Sequence, residues 1–91
     1  MPYIKPELRM PLDGAIQVLA RTINALAKED QDRAGLLNYS CTKLALQVIP
    51  DRRYWCIALI SGVFHNIADE FYRRYAAPYE EEQIKKNGDV F

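Results

Sequence analysis

His65 is the one histidine in the chain, with Asp69 one helical turn further on and Glu70 beside it. A transition-metal site gathers three or four nitrogen, sulfur or carboxylate ligands in converging geometry. His65, Asp69 and Glu70 supply part of such a set, and other ligands would have to come from elsewhere in the fold. The alternative is a histidine on a solvated helix face near Asp69. Two arginine doublets, Arg52-Arg53 and Arg73-Arg74, could contact phosphate, with Trp55, Tyr72 and Tyr75 available for stacking on bases. Asp51, Asp69 and Glu70 stand beside the same arginines, so dipole compensation and salt bridges are the simpler reading of the pattern. Ser40-Cys41-Thr42 is the hydroxyl and thiol cluster, but Cys41 falls on an apolar stripe, and a buried thiol in apolar surroundings is inert. No glycine-rich phosphate loop and no Walker-type lysine occurs. These residues imply no enzyme activity and no cofactor.

The elements that position these groups read as helices. Leu12, Ile16, Leu19, Ile23 and Leu26 recur at spacings of 4, 3, 4 and 3, which stacks them on one helix face. Asp32 is a candidate N-cap for a second helix carrying Leu37, Cys41, Leu44 and Val48 at 4, 3 and 4. Pro50 stops it, and Asp51 can cap a third. That third helix carries Ile57, Ile60, Phe64, Ile67, Phe71 and Tyr75 on its main face and Trp55, Leu59 and Val63 on another. A helix apolar nearly all round must be covered on several sides. Gly62 costs it about 1 kcal/mol against alanine, which a close helix approach would justify. Pro78 reads as a break. Glu80, Glu81 and Glu82, then Lys85 and Lys86, suit the dipole of a short fourth helix ending at Asn87-Gly88. Prolines 2, 6 and 11 keep the first residues from being helical throughout. No period-two strand pattern appears.

The chain has 91 residues, twelve basic and twelve acidic, and 49% of it is hydrophobic. Such a composition excludes a disordered tail or a fibrous repeat. A formal net charge of zero gives no broad positive field for nucleic acid or anionic membrane. The apolar run Ile57 to Ile60 is too short to cross a bilayer. The opening Met-Pro-Tyr-Ile-Lys has no apolar signal core, so the expected location is the cytoplasm. Cys41 and Cys56 form no CxxC pair and are expected to be free thiols.

Gly35-Leu36-Leu37-Asn38-Tyr39 with Thr42, and Glu70-Phe71-Tyr72-Arg73-Arg74 … Ala77-Pro78-Tyr79-Glu80 … Asn87-Gly88-Asp89-Val90-Phe91, resemble a family of small uncharacterised proteins from bacteriophage genomes and environmental sequences. The Met-Pro-Tyr-Ile opening fits the same family. Its members often carry a glutamate near His65 and end in tyrosine where this chain has Phe91. The resemblance implies a phage or mobile-element setting, hence a host cytoplasm, and no activity, cofactor or substrate.

The expected fold is all-α, a small bundle of three main helices with a short C-terminal helix and an extended, proline-containing arm. It forms a single domain over 1–91, with the arm over 1–10 and helices over about 11–29, 33–49, 52–77 and 78–87. The expected function is a non-enzymatic interaction module that pairs with itself through Trp55, Leu59 and Val63. Arg73, Arg74, Tyr72 and Tyr79 are the candidate surface for an unidentified acidic protein partner. A nucleic-acid accessory role through the arginine doublets is the first alternative, and a metal-binding or enzymatic site around His65 the second. No membrane partner is expected.

Overall fold

Residues 2–91 are described by a computed structural model, and its secondary structure is helical, with no strand among the described residues. The elements in chain order are α1 (Pro6–Leu26), α2 (Asp32–Val48), α3 (Tyr54–Phe71), a π-helical turn (Tyr72–Ala76) and α4 (Ala77–Asn87). They fall into two units, Tyr3–Arg52 and Arg53–Phe91, the second including Pro2. The all-α architecture of three main helices and a short fourth is as the periodicity predicts.

In the first unit, α1 starts five residues earlier than the expected boundary at 11, so the extended arm ends at Lys5. Pro6 occupies the first helical position, where its missing amide has no helical partner to lose and its φ is already helical. Arg9 Nε donates to the Ile4 carbonyl at 2.8 Å, and the Leu8 amide donates to the Lys5 carbonyl at 2.9 Å. Both bonds fasten the entry turn. Pro11 sits inside the helix, where the carbonyl its ring crowds belongs to Glu7 in the opening turn.

Asp32 does not cap α2. It is the first residue of the helix, and its Oδ2 accepts from the Lys28 and Glu29 amides at 3.1 and 3.0 Å. The carboxylate therefore satisfies the loop that leads in from α1. Arg33 completes the clamp, donating to Asp30 Oδ1 at 2.8 Å and to Asn24 Oδ1 at 3.0 Å. The part-shielded side of α2 runs through Leu36, Ser40, Cys41 and Ala45, whereas Leu37, Leu44 and Val48 are exposed. Sequence periodicity located the helix and Cys41, but not the side that is shielded.

In the second unit, α3 begins at Tyr54 with Arg53 in the N-cap position and no side-chain cap, so Asp51 is not its N-cap. Arg53 instead lies over the Trp55 ring, 5.4 Å from its centroid. The expected break at Pro78 does not occur. The chain stays helical from Tyr54 to Asn87 because the π turn absorbs the proline. In a regular α-helix Pro78 would lack the bond to the Arg74 carbonyl and its ring would press on that carbonyl. Here the Ala77 amide bonds to the Tyr72 carbonyl, one residue wider than the α pattern, and the proline falls in the first turn of α4. The helix ends at Gly88, whose φ of 92° is the one left-handed conformation among the described residues. Because Pro78 already sits in the first turn of α4, replacing it by alanine should change stability by no more than about 1 kcal/mol, read in thermal melts, and a gain of several kcal/mol would contradict this account of the π turn.

Candidate functional site

The π turn brings the C-terminal sequence motif together. Tyr72 and Glu80 lie eight residues apart, and the Tyr72 hydroxyl donates to Glu80 Oε2 at 2.8 Å. That hydrogen bond, then the nearby negative charge, raises the Tyr72 pKa, with a smaller push from burial. This bond links the end of α3 to the first turn of α4.

Arg73 and Arg74 part company. Arg73 Nε donates to Glu70 Oε1 at 2.6 Å, an i,i+3 pair in which the Glu70 side chain is 19% exposed and that of Arg73 64%. The Arg74 side chain is exposed and makes no hydrogen bond or ion pair among the described residues. Phe71 and Tyr75 stack one turn apart at 5.0 Å, flanking the arginines with aromatic surface, and Tyr79 is 61% exposed. Asn66, Asp69, Glu70 and Arg73 line a small open hollow with Pro2. Sequence reasoning missed Asn66 and Pro2 there, since no local pattern ties residue 2 to residues 66–73.

Among the described residues no group of three or more His, Cys, Asp and Glu side chains is placed to hold a metal ion. His65 is exposed on α3, and Glu70 is turned to Arg73. The structure does not gather His65, Asp69 and Glu70 into one ligand set. Cys41 and Cys56 are both free thiols, Cys41 half-buried and Cys56 buried. The residues of the second motif, Gly35, Asn38, Tyr39 and Thr42, share an open face of α2, where the Thr42 hydroxyl donates to the Asn38 carbonyl at 2.8 Å.

The most extensive feature is apolar. Trp55, Leu59 and Val63 on α3 are 56%, 59% and 44% exposed. Ile57, Ile67 and Phe71 on its other side are exposed as well. A β-carbon placed on Gly62 would meet nothing within 4 Å among the described residues, so no close approach by them explains that glycine. Cys56 is the one buried hydrophobic residue among those described.

Such a fold and surface define a small all-helical protein with an apolar helix open to solvent and an Arg–Tyr–Glu cluster at a π turn. The chain belongs to the family of the domain of unknown function DUF6899, whose model matches residues 1–90. Neither the curated proteins nor the solved structures contain a match to this chain.

Two outcomes check the geometry of the cluster. Because the Tyr72 pKa is raised in the folded protein, the stability it lends is complete below the ordinary tyrosine value near 10 and is lost as pH climbs past it. Wild type should therefore lose stability relative to Tyr72→Phe as pH rises above about 10, in denaturant titrations at each pH; parallel curves would contradict the Glu80 bond. Arg73→Lys loses the Nε donor and should cost measurably more than Arg74→Lys, though less than about 1 kcal/mol. Equal shifts in thermal melts would remove the distinction between the two arginines.

Proposed function

We propose that this chain is a non-enzymatic helical interaction module that associates with a second copy of itself through α3. The observation that carries the reading is the exposure of Trp55, Leu59 and Val63 on a helix whose first half is apolar nearly all round. One helix cannot bury its own side chains, and burial of apolar area contributes roughly 25 cal/mol per Å². Leaving this surface in water forgoes that stabilisation. Large exposed apolar patches mark interaction surfaces. Gly62 lies one turn beyond Leu59 and has open space over its α-carbon, which leaves room for a partner helix to come close.

The zero net charge supports a protein partner over nucleic acid. Arg74 and Tyr79, both exposed, form a second surface that suits an acidic protein partner, since arginine and tyrosine are enriched in binding hot spots. A phage or mobile-element setting in a host cytoplasm is compatible with a module of this kind.

Sedimentation tests the reading. Wild type should run at no less than about twice the 10.5 kDa chain mass at micromolar concentration, and Leu59→Asp or Val63→Asp should lower that mass or leave the protein insoluble. A wild type that is strictly monomeric at high concentration would overturn it. Affinity for DNA or RNA that falls steeply with added salt would favour the alternative.

A further inference from the structure

Trp55, Leu59, Gly62, Asn66 and Asp69 follow one another on α3 at spacings of 4, 3, 4 and 3. All five precede the π turn and lie in regular α-helix, so they share one face. That face changes character along its length. Its first half is apolar, with Trp55 56% and Leu59 59% exposed. Its second half is the hollow lined by Asn66, Asp69, Glu70, Arg73 and Pro2, with a volume of about 210 Å³. The Glu70–Arg73 ion pair forms one wall of it. The Asp69 carboxylate is exposed and makes no hydrogen bond or ion pair among the described residues. Gly62 stands between the two halves, with open space over its α-carbon.

A seam of this spacing interlocks with a second helix at a shallow crossing angle of about 20°. With two copies of α3 antiparallel, one register lays Leu59 of each copy over Gly62 of the other. The step from 59 back to 55 equals the step from 62 on to 66, so Trp55 then meets Asn66 of the other copy. The indole arrives at the mouth of the hollow. A space of about 150 Å³ holds a benzene ring, so this one admits an indole. Once out of water the indole N–H needs an acceptor, and the Asp69 carboxylate supplies it. The Arg53 guanidinium, 5.4 Å from the centre of the Trp55 ring, travels with it. The hollow answers that cation with two carboxylates against one guanidinium. Within one chain the contact cannot form: Trp55 and Asn66 are eleven residues apart, about 16 Å along one straight helix.

We infer that Trp55 of each copy seats in the hollow of the other, two α3 helices pairing antiparallel with Leu59 over Gly62. This contact rests on the self-association proposed above and gives it a register and an anchor. Aromatic side chains seated in a partner's pocket dominate binding energy, and a twofold arrangement makes this contact twice. Pro2 becomes part of the receiving surface, which ties the N-terminal arm to assembly.

Full-length Trp55→Ala and Asn66→Arg test the contact, with circular dichroism to confirm that each variant folds. The first removes the anchor and leaves the hollow; the second fills the hollow and leaves the anchor. Each alone should weaken association at least about tenfold in sedimentation. Mixed in equal amounts they form a heterodimer in which one indole meets one intact hollow. The mixture should associate at least about tenfold more tightly than either variant alone. Wild type supplies a readout that needs no variant: emission from Trp55, the one tryptophan, should move to the blue as association proceeds. Variants that associate as wild type does would overturn the contact and leave self-association through α3 standing. Weakened variants that fail to rescue one another would also overturn it, since Trp55 would then act elsewhere in the interface. A monomeric wild type would overturn both this contact and the reading beneath it.

Discussion

A helix has no inside, and α3 carries more apolar surface than one stripe can account for. Everything else about this protein follows from where that surface goes. Cys56 is buried, while Leu59 and Val63, within a quarter-turn of it, and the adjacent Trp55 are open. Net stability is a small difference between burial and the entropy of ordering the chain, so a helix of this composition without cover gains little by forming. The self-association proposed above would supply that cover.

The π turn is the second structural device. A proline in mid-helix would ordinarily kink or end the element at a cost of about 3 kcal/mol. Widening one turn at Tyr72–Ala76 shifts the hydrogen-bond pattern so that the missing amide of Pro78 falls where a new helix begins. The same turn rotates the side chains that follow it and brings Glu80 within reach of the Tyr72 hydroxyl. It also separates the neighbouring arginines by function, Arg73 held by Glu70 and Arg74 left to solvent. Fold and candidate surface thus depend on one accommodation of one residue.

The helices were legible in the sequence because the 3.6-residue period of apolar residues survives whatever covers them. Leu12 to Leu26, and Ile57 to Tyr75, announce α1 and α3 without any knowledge of neighbours. What covers a face is another matter, and the shielded side of α2 through Leu36 and Ala45 differs from the stripe through Leu37 and Leu44. Prolines misled twice for the same reason. A local rule treats Pro6 and Pro78 as breakers, yet each sits in a first turn where no amide is needed. Asp32 was legible as a helix-start carboxylate, but its actual partners, the Lys28 and Glu29 amides, lie upstream in the loop. The Tyr72–Glu80 bond had no sequence signal, because a spacing of eight makes a pair only across a widened turn. The arginines, tyrosines and glutamates of the motif were visible as a set, and only their pairing was not.

The central claim is that association completes the burial that the single chain lacks. Folding coupled to association makes the unfolding midpoint depend on protein concentration, by mass action. Thermal unfolding followed over roughly a hundredfold range of concentration measures this directly. The account predicts a midpoint that climbs steadily with concentration, together with a loss of Trp55 exposure to a soluble quencher. A midpoint that stays fixed across that range, with Trp55 equally accessible throughout, would contradict it.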